Sequence, residues 1–228
     1  MKHSNKIEFE IRGEYALFTD PITKPGGERC TLPVPTYEAL KGILCSIYWT
    51  PSIIWIVDRV RVMNPIRTES MSVTRRKYRS GGSELSVYTY LRDVRYSVRA
   101  HFVWNRDYRD HIDVSDEDKY YQMTRRMLCK GGRRTVFLGT SECIAEILPC
   151  RFSEGGGSYD DIDLIDLGIM YHGITYPGNK GSEEMTVRVW QCVMENGIIR
   201  FPRPERCSFA YILPDKQKKE YKKSNELV

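Results

Sequence analysis

Between Ile7 and Arg12 the chain alternates, with Ile7, Phe9 and Ile11 apolar and Glu8, Glu10 and Arg12 charged. Period two is the mark of a strand with one buried face, here expected over 7–18. After a Pro- and Gly-rich loop the period changes. Leu40, Ile43, Leu44 and Ile47 follow at helical spacing, Thr36 stands at the N-cap with Glu38 in the first turn, and Pro51 ends the helix. Residues 53–66 then predict a long strand, and the polar stretch 67–86, with Arg67, Arg75, Arg76, Lys77 and Arg79, reads as a mobile loop.

Alternation returns over 87–104, a strand or hairpin in which Arg92, Arg95 and Arg99 interleave with Tyr88, Tyr90 and Tyr96. Ser115 ahead of Asp116, Glu117 and Asp118 predicts a capped helix running to about Cys129, closed by Gly131 and Gly132. Residues 134–149 supply a further strand. The order strand, helix, strand, strand, helix, strand is the split βαβ unit, so residues 1–150 are expected to form a ferredoxin-like (RRM-like) domain. Residues 164–176 and 184–202 predict a second sheet, with Glu195, Asn196 and Gly197 as a tight hairpin and 154–158 (EGGGS) as a linker. The expected fold is therefore α+β, with a smaller C-terminal antiparallel β-sheet domain over 151–228. Its tail, 215–228, carries five Lys and reads either as a solvated end or as an arm that touches nucleic acid.

A chain of 228 residues buries a core without staples. With 41% hydrophobic and 11% aromatic residues it is not a disordered chain. The apolar run at 53–57 is far too short to span a bilayer, and the charged start MKHSNKIEFE does not resemble a secretory signal, so a cytoplasmic protein without membrane contact is expected. The seven cysteines form no CxxC pair, which signals neither zinc nor redox chemistry and points to reduced packing thiols.

A net charge of +5 is modest, but its distribution is uneven. From Lys119 to Arg134 the sequence holds Lys119, Arg125, Arg126, Lys130, Arg133 and Arg134 and no acid. Lys119, Arg126 and Lys130 share one helix face, beside an apolar stripe of Tyr120, Met123 and Met127. Arg125, Arg126, Lys130, Gly131, Gly132, Arg133 and Arg134 are the candidate RNA-binding residues, because a glycine turn flanked by cations lets amides and guanidinium groups approach phosphates. A basic helix face that is merely solvated remains the alternative. Trp49, Tyr88 and Trp104 are aromatic candidates either for base stacking or for the core.

Several segments resemble one known family. They are GEYALFTDP (13–21), ERCTLPVPTYEALKGILCSIYWTPSIIWIVDRVRVMNPI (28–66), YLRDVRYSVRAHF (90–102), RRMLCKGG with FLG after it (125–132, 137–139), and the later DLGIMYHGI and VMENGIIRFP. In matching order over nearly the whole chain, they resemble the type I-C CRISPR RNA-processing endoribonuclease. This is the d subtype of the fifth family of CRISPR-associated proteins, in the RAMP superfamily. The most specific parts are VPTYEALKGI with YWTP and the RR, KGG, FLG run.

The resemblance implies metal-independent, cofactor-free cleavage of CRISPR repeat RNA by attack of a nucleotide's own 2′-hydroxyl on the adjacent phosphate. The crRNA 5′ handle then stays on the protein inside Cascade, whose other subunits are expected partners, with double-stranded DNA a further one. The family's catalytic Tyr matches Tyr48, and its Lys-His pair falls on Lys119 and Tyr120. Lys is kept and His is Tyr. Since an ordinary phenol, with a pKa of about 10, is a poor base at neutral pH, two readings stand: a nuclease, or a cap on the guide's 5′ end that cuts slowly or not at all.

Overall fold

The computed structural model describes residues 5–77, 81–105, 117–176 and 185–212. Strand β1 (Lys6–Ala16) is followed by a short β2 (Arg29–Cys30), helix α1 (Tyr37–Ile47), β3 (Ile53–Val62), β4 (Thr68–Arg76) and β5 (Ser83–Trp104). Helix α2 (Glu117–Cys129) leads to β6 (Val136–Phe137) and β7 (Ile144–Pro149). Strands β8 (Leu164–Thr175), β9 (Thr186–Glu195), β10 (Ile198–Arg200) and β11 (Phe209–Ile212) complete the order. Among the described residues, two α-helices on a mostly antiparallel sheet make an α+β fold.

Thr36 caps α1 as its type suggests, its hydroxyl accepting the Ala39 amide. Around the central β5 the sheet runs β10-β3-β5-β1-β7, with antiparallel neighbours throughout. The α1 segment connects β1 to β3 and the α2 segment connects β5 to β7. Alternation along β1 sends Phe9 and Ile11 into a core with Leu40, Leu44, Ile47, Trp55 and Phe102, all fully buried. Each such side chain stabilises the fold by about 1.5–3 kcal/mol relative to exposure. Glu8, Glu10 and Arg12 go to the other face, which is helix-free among the described residues. There Glu8 pairs with Arg99 at 2.6 Å, and Glu10 with Arg95 at 2.8 Å and with Arg12.

Four expectations change. Residues 67–86 are not a loop: β4 and the first part of β5 form a hairpin from Thr68↔Leu91 to Arg76↔Ser83. Its polarity misleads because one face of the ribbon is solvated, while Met71, Val73, Tyr88 and Tyr90 supply the other. Of the strand or hairpin expected over 87–104 the strand forms, and it changes partner from β4 to β3 near Asp93, with φ 50°. The single strand expected over 134–149 is two short ones, joined by a turn in which Leu138 donates to the Cys143 carbonyl. Gly139 makes that turn possible. Its φ is 96°, and a Cβ there would lie 2.0 Å from the Leu17 carbonyl oxygen.

The other two changes concern the later part of the chain. The hairpin at Asn196 and Gly197 forms, with φ 48° and 73°, but β10 also pairs with β3, so β8–β11 extend the same sheet instead of building a separate one. The 154–158 stretch is tied down too. Ser158 donates through both its amide and its hydroxyl to the Met63 carbonyl, and Asp160 accepts from the Gly157 amide and from Arg61 at 2.5 Å. Ser115, Asp116 and the 215–228 tail lie outside the described residues.

Candidate functional site

Tyr48 is the residue at which α1 stops. Its backbone is extended (φ −153°, ψ 129°), its amide still donates to Leu44, and its carbonyl accepts the Trp55 indole N–H at 2.8 Å. The phenol then crosses to α2 and donates to the Met123 sulfur at 3.7 Å. Backbone and ring are both held. Tyr120 lies half-buried on the same helix, edge-on to Trp104 with ring centroids 5.2 Å apart, while Lys119 beside it is exposed.

Burial pushes the Tyr48 phenol above its ordinary pKa, and Tyr120 adds to this, against the pull of Lys119 and Arg133. The seam between the helices therefore brings Lys119, Tyr120 and Arg133 within electrostatic reach of the Tyr48 phenol. At neutral pH Tyr48 is a protonated hydrogen-bond donor, beside an exposed ammonium and a guanidinium.

The glycine turn after α2 supplies the rim. Lys130, Gly131 and Gly132 donate back to Met127 and Leu128, and the Arg133 and Arg134 amides donate to the Ser46 carbonyl at 3.0 and 3.1 Å. These amides are spent on closing two helix ends, so contact with phosphates falls to side chains. Arg125, Arg126, Lys130, Arg133 and Arg134 are all exposed; Arg125 lies 5.9 Å over the Tyr121 ring, and Arg133 donates to the Trp49 carbonyl at 3.4 Å. Gly131 and Gly132 act as backbone: at Gly132 φ is 101° and a Cβ would meet the Arg134 carbonyl at 3.0 Å.

Of the aromatic candidates, Tyr88 is buried, Trp104 is half-buried between Phe102 and Tyr120, and Trp49 is 47% exposed at the edge of the seam. Two histidines fall elsewhere. His172 is fully buried and stacked on Tyr37, and His101 faces Asp58 at 2.9 Å on the helix-free side. His3 and His111 lie outside the described residues. The Met123 contact and the docking of the turn on Ser46 were not visible in the sequence, because both join residues far apart in the chain.

Among the described residues no three of His, Cys, Asp and Glu form a metal-ligand group, and no helix is long and apolar enough to cross a membrane. The seven cysteines are free, and burial pushes the Cys192 thiol up to about 12.

The family described as CRISPR-associated protein (Cas_Cas5), in its Cas5d form, matches residues 6–202. A protein of Mannheimia succiniciproducens named CRISPR pre-crRNA endoribonuclease Cas5d is 28% identical, over 87% of this chain and 96% of its own. One of the same name from Thermus thermophilus is 30% identical over 80% and 79%. A functionally uncharacterized Streptococcus mutans protein of known structure superposes with a TM-score of 0.75 at 34% identity, covering 91% of this chain and 97% of that one. A structure described as a CRISPR-associated protein has the same score, identity and coverage. With a match that runs from the first residues of β1 to just beyond β10, the chain belongs to the Cas5d family of CRISPR-associated proteins.

Proposed function

We propose that this protein is a metal-independent endoribonuclease that cleaves CRISPR repeat RNA and keeps the 5′ handle of the product as a subunit of type I-C Cascade. The observation that carries the reading is the convergence of Tyr48, Lys119 and Tyr120 at one helix seam, rimmed by exposed arginines. The names of the curated relatives support it.

In this reading the 2′-hydroxyl attacks the adjacent phosphorus and the bond to the 5′-oxygen breaks, leaving a cyclic phosphate. Lys119 stabilises the negative charge that grows on the phosphoryl oxygens, and Tyr48, held protonated, donates toward them or toward the departing 5′-oxygen. Arg125, Arg126, Lys130, Arg133 and Arg134 hold the flanking phosphates, and Trp49 offers a stacking face. Residues 6–149 are read as a ferredoxin-like unit, supported by the strand order β7-β1-β5-β3 with a helix in each crossover. Residues 1–150 then carry the processing site, and 151–228 form the C-terminal β region with its basic tail. Other Cascade subunits and double-stranded DNA are the further partners, in the cytoplasm.

One observation favours the second reading, a cap that does not cut. Tyr120 stands where the family has His, and its ring packs on Trp104. Incubating purified protein with its cognate repeat RNA in EDTA separates the two. A defined product supports the nuclease, and an intact, shifted band supports the cap.

A further inference from the structure

On the helix-free face three arginines stand in one row. Arg59 on β3 is directly opposite Arg99 on β5, and on its other side directly opposite Arg200 on β10. Like charges facing each other across neighbouring strands destabilise a sheet. The outer two are neutralised: Arg99 pairs with Glu8 at 2.6 Å and Arg200 with Glu195 at 2.5 Å. Arg59, in the middle, has no ion pair with a carboxylate among the described residues.

The row is also held in place. Arg59 and Arg99 lie over the same Phe152 ring, at 5.1 and 4.9 Å from its centroid, and the Phe152 amide donates to Glu8. The β3–β5 register shifts between Val57 and Arg59, a bulge beside the row. Arg59, Arg99, Arg200, Lys6, Asn5 and His101 line an open cavity of about 380 Å³, whose one carboxylate, Asp58, is directed at His101. Burial, with Arg99 and Arg200 alongside, holds the Arg59 pKa below its ordinary value.

We infer that this cavity binds one phosphate of a nucleic acid strand, with Arg59 as the central ligand and Lys6, Arg99 and Arg200 around it. A phosphodiester carries its negative charge on two non-bridging oxygens, each with lone pairs enough to accept from more than one N–H donor, so one phosphate can bridge neighbouring guanidinium groups. The choice of a nucleic acid as its source rests on the RNA-handling function proposed above. The alternation of β1 and β3 puts this site on the sheet face opposite the one that packs α1, so it grips a different phosphate from any held at Tyr48 and Lys119.

The test uses the full chain and a fluorescein-labelled ten-nucleotide oligouridylate, which contains no repeat and reports binding whether or not the protein cuts. Arg59→Gln should weaken binding about tenfold at low salt and reduce the salt slope by about 0.7, the share of one phosphate on a single strand. Arg59→Lys should restore most of the slope. Unchanged affinity and slope in Arg59→Gln overturn the inference. So does a lower melting temperature with unchanged binding, which makes the Phe152 stack merely structural. If inorganic phosphate raises the melting temperature of the wild type but not of Arg59→Gln, while oligouridylate does not compete, the ligand is a free anion and the nucleic acid assignment fails. Displacement by polyglutamate but not by RNA assigns the cavity to an acidic protein segment instead. An uncut repeat RNA overturns the nuclease reading and leaves this measurement intact.

Discussion

The amide of Arg133 donates to the carbonyl of Ser46 at 3.0 Å, fastening the turn after α2 to the end of α1. Gly132 is the residue that lets the chain arrive there. Gly132→Ala should cost about 1–3 kcal/mol, the scale of a left-handed backbone forced on a residue with a Cβ. A clearly lower melting temperature, together with weaker repeat-RNA binding, is the expected outcome. An unchanged melting curve removes the argument.

Lys119 should matter for rate more than for binding. A cation aimed at charge that grows in the transition state is worth about 10²-fold or more, so Lys119→Ala should slow single-turnover cleavage on that scale at saturating protein. Tyr48→Phe removes a donor at nearly constant volume and should slow the same step. Cleavage by Lys119→Ala at the wild-type rate moves the site elsewhere.

Tyr120→His tests the departure from the family pattern. An imidazole that titrates near 6.5 should raise the neutral-pH rate above that of wild type. If this variant also leaves repeat RNA uncut, the capping role replaces the nuclease.

The profile of rate against pH follows from the same groups. Tyr48 is held above its ordinary value of 10.0 and stays protonated through neutrality, so it donates and does not take the 2′-hydroxyl proton. The wild-type rate should climb from pH 6 to pH 9 as hydroxide becomes available, with no plateau near 6.5. A midpoint near 6.5 instead assigns the proton transfer to a histidine.

Glu10 sets an acid limit on stability. Burial pushes its carboxyl up, but hydrogen bonds from Arg95 and Arg12 outweigh this and hold it below 4.5. A depressed carboxylate stabilises the fold above its unfolded value and loses that contribution as the pH falls through the folded one. Glu10→Gln should therefore have a lower urea midpoint than wild type at pH 7, and the gap should shrink as the pH falls from about 4.5 through the lower folded value. A gap independent of pH contradicts the pairing.

What the sequence made legible was governed by period. Ile7, Phe9 and Ile11, the α1 stripe and the Asn196–Gly197 turn each carry their signal within a few residues. The β4 hairpin did not, because Thr, Ser and Arg on a solvated ribbon look like loop residues until their pairing partner is known. For the candidate site, Tyr48 and Lys119 were proposed through resemblance and the basic rim through charge. The Arg59, Arg99 and Arg200 row was hidden, since its members are brought together only by strand register.

The strand pairing also sets a timetable for synthesis. Phe9 has Val98 on one side and Pro149 on the other, so β1 has no neighbour until about ninety later residues have been made. At about 5–20 residues per second, the apolar face of β1, with Ile7, Phe9 and Ile11, waits roughly 5–20 s without a strand partner. A translational pause ahead of β5 lengthens that wait and exposes the chain to aggregation, whereas the same pause after β7 leaves β1 already enclosed.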